Sequence, residues 1–140
     1  MKNTARLLCI ATLLASGMVR ADVVVIVNPK NPNATLTAEH VAQIYTGATT
    51  AFPNGSAAAP LDQPEGSAVR EEFLAKVVGK SGQQVKAIWS RLIFSGKGTK
   101  PKVLESSAEV KKQVAADPNA IGFIEKSALD GSVKAVLEAK

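Results

Sequence analysis

Apolar residues recur along this chain in two rhythms, and the alternation between them predicts its elements. Asp22 to Asn28 reads DVVVIVN, an unbroken β-branched run that suits a strand covered on both faces. Pro29 stops it. The segment NPKNPNATLTAEH, with its prolines and asparagines, predicts a loop running into a helix. Thr37 is the expected N-cap, Ala38, Glu39 and His40 fill the first turn, and Val41, Ile44 and Tyr45 make the buried face. Gly47 closes that helix.

Ala48 to Ala57 is rich in turn residues, with Asn54-Gly55 the strongest signal, and predicts an exposed loop. A short strand over Ala58 to Leu61 leads to a Gly66-Ser67 turn. The helix beyond it carries Val69, Phe73, Leu74 and Val77 at spacings of three and four. Gly79 and Gly82 flank a cap at Ser81, and a further helix runs from Gln83 to Phe94 with Val85, Ile88, Trp89, Leu92 and Ile93 apolar. Trp89 and Tyr45 read as core anchors, since aromatics on an apolar helix face are usually buried.

After the flexible SGKGTKPK, Lys102 to Leu104 predicts a brief strand. Ser106 or Ser107 caps a helix with Val110 and Val114 inward, and Pro118-Asn119 ends it. AIGFIEK, from Ala120, is a short apolar strand with a glycine in its middle. Gly131-Ser132 then turns into a last strand, Val133 to Leu137. Strands alternating with helices imply an α/β fold. No repeat, low-complexity tract or second-domain linker interrupts residues 22–140, which read as one domain.

The N-terminus follows a different pattern. Met1, Lys2 and Arg6 precede the apolar run Leu7 to Ala15, and Val19-Arg20-Ala21 offers a cleavage site, so residues 1–21 are expected to be a secretory signal peptide. The run is well short of the roughly 20 residues that span a bilayer. After cleavage no stable membrane insertion is expected, and the protein is expected to be secreted to the periplasm. The single cysteine, Cys9, leaves with the leader, so no disulfide is expected.

Cleavage also changes the charge. It removes Lys2, Arg6 and Arg20 from the seventeen basic residues and none of the twelve acidic ones, lowering the net charge from +5 to +2. With that balance and so few aromatics, a nucleic-acid footprint is not supported.

Most chemistry-bearing constellations fail. His40 is the only histidine and no cysteine survives maturation, so zinc-type clusters are absent. No G-x-S-x-G elbow presents a serine, and FSGKGTK at Phe94 to Lys100 lacks the first glycine and the Ser or Thr of a P-loop. No nucleophile–base pair supports an enzyme, and no cofactor is implied.

The segment QPEGSAVREEF, Gln63 to Phe73, stands out. It reads as a strand exit, a Gly-Ser turn and an abrupt helix start, where the first N–H groups lack intrahelical partners and the helix dipole is positive. Ser67 and Arg70 add donors to the same spot. Ser is also among the commonest N-caps, and in most proteins a Gly-Ser before an amphipathic helix is structural punctuation. Glu65, Glu71 and Glu72 answer the dipole and repel an anion, so binding here has to rely on directed donors.

Taken together, these landmarks resemble the phosphate-type periplasmic substrate-binding proteins of ABC importers, specifically the second lobe of that two-lobed fold. VNPKNPNATLTAEHVAQIYTG is similar to the family's crossing strand and "LT…I(Y/F)xG" helix, and the Asn54 to Ser56 turn to its loop before the next strand. DQPEGSAVREEF is similar to its GSGTR-x-x-F phosphate loop, and AIGFIEKSAL to its "AIGY" strand.

The resemblance implies a single lobe of the type II periplasmic binding protein fold, a mixed sheet flanked by helices. It places the ligand residues at Gly66, Ser67, Ala68, Val69 and Arg70, with phosphate or a similar oxyanion as ligand. An ABC permease, or a periplasmic or membrane sensor, is the implied partner. Ala68 stands where the family has a glycine and Val69 where it has a threonine, deleting one hydroxyl donor, a loss of about 1.5–3 kcal/mol. The wall supplied by the other lobe is missing from the match. Two functions are therefore expected: an oxyanion-binding importer component, or a secreted interaction or sensory module that keeps the fold without its own ligand.

Overall fold

The computed structural model describes residues 22–139, and the predicted signal peptide with Cys9 lies outside the described residues. Strand β1, Val23–Val27, is fully buried along its length, as its unbroken β-branched run requires. It lies between two antiparallel neighbours, β4 (Ala120–Glu125) and β5 (Lys134–Ala139). Strand β2, Ala59–Asp62, runs parallel to β4 on one side and to the two-residue β3, Lys102–Val103, on the other. The sheet is mixed, with strand order β3-β2-β4-β1-β5.

Alternation along β1 divides the core in two. Val23, Val25 and Val27 face one side, packed with α1 (Ala38–Tyr45), α2 (Ala68–Phe73) and α3 (Gly82–Phe94). On that face Phe73 stacks on Phe123 with centroids 4.1 Å apart, and Tyr45 meets Phe73 edge-on at 4.7 Å. Val24 and Ile26 face the other side, against Val110 and Val114 of α4 (Ser107–Ala116). Gly122 lets α4 approach there, since a Cβ at that position would lie 2.5 Å from Val110 Cγ1. Among the described residues, the two clusters draw on the chain from Val23 to Ala139.

The expected caps form. Thr37 Oγ1 accepts from His40 N–H, and Ser81 and Gln84 close a reciprocal capping box at α3. Tyr45 donates its hydroxyl to the carbonyls of Leu61 and Ile121, tying α1 to β2 and β4, and Trp89 Nε1 donates to the Tyr45 carbonyl.

Three local expectations change. The helix after the Gly-Ser turn widens into a π-helical turn over Leu74–Val78, with Gly79 N–H reaching back to the Leu74 carbonyl. The loop Ala48 to Ala57 is not wholly exposed, because Phe52 is buried in the core and Ala51 bridges Ala57. Ile93 does not turn inward with the rest of its helix face and is half exposed in the last turn of α3.

Candidate functional site

The connections leaving β2 and β3 go to opposite faces of the sheet. β2 is followed by α2, which packs with the first core cluster, and β3 by α4, which packs with the second. Adjacent parallel strands whose exits diverge leave a crevice at their carboxyl ends, the place where open α/β sheets bind ligands. Here one wall carries the Gly66-Ser67 turn and the other Ser106 and Ser107. Gln63 spans the floor, its Nε2 donating to Ser107 Oγ at 3.2 Å and to the Phe123 carbonyl at 2.9 Å.

The turn is built as its residues require. Gly66 has φ +86 with open space where a Cβ would stand, so the backbone conformation alone calls for glycine. Ser67 N–H donates to the Pro64 carbonyl, and Ser67 Oγ accepts from Arg70 N–H at 3.4 Å as the N-cap of α2. That leaves the Ser67 O–H free to donate. The N–H groups of Ala68 and Val69 belong to the first helical turn, where no carbonyl lies one turn back.

The five residues expected to hold a ligand are thus contiguous, but their side chains divide. Val69 sends its side chain into the core, so its backbone N–H is what it offers. Arg70 is buried, and its Nε donates to Asp62 Oδ1 at 3.0 Å in an ion pair whose carboxylate also accepts from Gln63 N–H. The remaining guanidinium faces a cleft of about 480 Å³ between the starts of α2 and α3, where Nη1 lies 3.2 Å from the position of a Cβ on Gly82. Lys86 borders that cleft, with Glu65 at 3.9 Å, and Glu71 adds a second carboxylate.

Asp62 also acts on the aromatic core. Burial first, and then the negative charge of Asp62, push the Tyr45 hydroxyl well above the usual tyrosine range.

Sequence reasoning reached the turn but missed Asp62, Gln63 and Ser107. The signal for Asp62 was available: an acid closing a strand eight residues before a buried arginine. His40 leaves the function aside, with its ring Nε2 3.1 Å from the Ala51 carbonyl, bridging α1 to the loop. Among the described residues, no cluster of His, Cys, Asp and Glu could hold a metal, and no helix is long and apolar enough to cross a membrane. A larger cavity of about 570 Å³ lies at the other end of the sheet, bordered by Trp89, Leu92, Lys97 and Lys100, away from the Gly-Ser turn.

No protein-family model matches the chain, and no curated protein matches it. Solved structures do. A protein of Clostridium perfringens described as a phosphate ABC transporter substrate-binding protein, with bound phosphate, superposes at TM-score 0.68 and 26% identity over 82% of this chain and 44% of its own. An ABC-type phosphate transport receptor of Vibrio cholerae gives 0.65 and 23% over 82% and 45%. PstS of Borrelia burgdorferi gives 0.62 and 14% over 82% and 46%. The chain spans less than half the length of each of these neighbours. The mixed sheet flanked by helices is that of one lobe of the type II periplasmic binding proteins, as the resemblance implied.

Proposed function

We propose that this chain, one lobe of the type II periplasmic binding protein fold, is a periplasmic solute-binding protein of the phosphate-importer kind. Its ligand in this reading is phosphate or a similar oxyanion, held at Gly66, Ser67, Ala68, Val69 and Arg70. The observation that carries the reading is the crevice at the carboxyl ends of β2 and β3, with three donors at its Gly-Ser wall: the Ser67 O–H and the Ala68 and Val69 N–H groups. The likeness to phosphate-binding neighbours supports it independently of the local geometry.

Arg70 contributes its charge from behind the turn, fixed by Asp62. Gly66, at φ +86, allows the backbone to bend into the start of α2. Capture and release of the anion need no bond-making step, so the protein is read as a binder rather than an enzyme. A crevice that no second lobe covers leaves the anion half hydrated, where each hydrogen bond competes with water. An ABC permease or a periplasmic or membrane sensor protein is the partner this reading assigns, and a partner chain covers the open side of the crevice.

Calorimetric titration of phosphate into residues 22–140 at low salt, with sulfate as control, tests the site. Ala68→Pro is the informative variant. Proline suits the first helical position and removes one N–H donor while leaving the fold and Arg70 in place. Saturable binding weakened about tenfold or more by Ala68→Pro, and similarly by Ser67→Ala, is the expected result. Silence up to millimolar phosphate overturns it in favour of an interaction module without its own ligand.

A further inference from the structure

The stretch from Phe73 to Leu104 contains seven basic residues and no acidic one, whereas the rest of residues 22–140 holds seven basic residues against twelve acidic ones. Two of the seven are paired, Lys76 with Glu72 and Lys86 with Glu65. Among the described residues, Arg91, Lys97, Lys100 and Lys102 form no ion pair, and all four are exposed. They gather where α3 ends and the chain returns to the amino end of β3.

Phe94 sits among them. It is the last residue of α3 and is 96% exposed, with Ile93 beside it at 49%. Arg91 lies three residues before Phe94, on the same side of the helix. Beyond it, Ser95, Gly96, Lys97, Gly98, Thr99 and Lys100 are all exposed and form neither helix nor strand. A bare phenylalanine at a helix tip costs solubility and adds nothing to the core. Ringed by cations, it has the two chemistries that act together at an anionic lipid surface: an apolar side chain that enters the acyl boundary and lysines that meet the headgroups.

We propose that the Phe94 tip is a docking point for an anionic phospholipid membrane. Phe94 is almost wholly exposed at the end of its helix, and the loop beside it is free of regular structure, which suits a deformable bilayer better than a rigid protein surface. Phe94 and Ile93 enter the interface while Arg91, Lys97, Lys100 and Lys102 lie along the headgroups. The contact is peripheral and reversible, because so small an apolar area gives weak partitioning without the charge. It holds the domain end-on at a membrane while the Gly-Ser crevice, at the opposite end of the sheet, faces away.

Co-sedimentation of residues 22–140 with vesicles of phosphatidylethanolamine and phosphatidylglycerol, against vesicles of phosphatidylcholine alone, tests this. Binding is expected to the anionic vesicles only and to fall as salt is raised. Phe94→Ser is expected to weaken it about tenfold, and Lys97→Gln, Lys100→Gln and Lys102→Gln together about a hundredfold. Lys126→Gln, at the other end of the sheet, is expected to leave it unchanged. Equal binding to both vesicle types, indifference to these substitutions, or no vesicle binding beside retention on immobilised polyglutamate overturns the proposal, the last in favour of an acidic protein partner. Circular dichroism of each variant separates a lost contact from a lost fold.

Discussion

At the carboxyl ends of β2 and β3, Arg70 and Asp62 are buried against each other and Gln63 divides its amide between Phe123 and Ser107, whereas at the amino ends Arg91, Lys97, Lys100 and Lys102 stand in solvent around a bare Phe94. The first end has its polar groups satisfied internally, so what it presents outward is a small set of fixed donors. The second presents charge and apolar surface with nothing fixed. A fixed, directed set of donors suits a small anion of one shape, and a loose cationic surface suits an extended partner. In the two proposals above, the ends of the same sheet serve ligands of different size.

The strongest way to break this comparison is to unpair the buried end. Arg70→Ala leaves the Asp62 carboxylate buried without its cation and is expected to cost about 3–5 kcal/mol, read as a shift of the urea midpoint. Replacing both residues with apolar ones of similar volume is expected to recover most of that loss. If Arg70→Ala unfolds with the wild-type midpoint, the pair is not a buried anchor and Arg70 belongs to the ligand alone. For this reason Arg70→Ala is a poor probe of phosphate binding, and Ala68→Pro a better one.

The fold was more legible in the sequence than the site. Thr37, Ser67, Ser81 and Ser106 sit at helix starts because short hydroxyl side chains reach first-turn N–H groups, a local effect that sequence carries directly. The buried run Val23–Val27 and the turn at Gly66 are legible for the same reason. The π-helical turn over Leu74–Val78 was not, because apolar spacings of three and four are the same for either helix. Nor was the exposure of Ile93 and Phe94, since periodicity marks a face but not where the neighbouring element ends. The Asp62–Arg70 pair and the Gln63–Ser107 contact join separate elements, and only the packed sheet brings them together.

A second way to sharpen the comparison acts on the wall formed by α4. Gly122→Ala places a methyl 2.5 Å from Val110 Cγ1, and Val110 is fully buried and has no room to yield. Overpacking of this kind is expected to cost about 1–3 kcal/mol. It also moves Ser106 and Ser107 away from the Gly-Ser turn. Thermal unfolding reports the cost, and an unchanged melting temperature would mean that α4 shifts freely over the sheet and does not define a wall.

Alkaline titration probes the same end through Tyr45. Its hydroxyl is raised in the folded state by burial and by Asp62, so the unfolded chain ionises first. The stability this contributes is complete below the ordinary tyrosine value of 10.0 and is lost progressively as pH rises above it. Tyr45 is the only tyrosine in the chain, so tyrosinate absorbance reports it without interference. The expected curve shows no tyrosinate until the protein unfolds in base; an ordinary titration with the fold intact would mean that the hydroxyl is open to water and does not clamp β2 to β4.

The smallest stability effects are expected at the other end. Phe94→Ser and Lys97→Gln touch exposed side chains with no core contact, and each is expected to change unfolding free energy by no more than about 0.5 kcal/mol. That neutrality matters because it separates surface from scaffold. Residues that stabilise nothing and still form a coherent cationic and aromatic tip are free to serve an outside contact. If Phe94→Ser instead destabilises the domain by 1 kcal/mol or more on the scale of core changes, the ring is packed in solution, the tip is part of the core, and the division between a satisfied end and an open end fails there first.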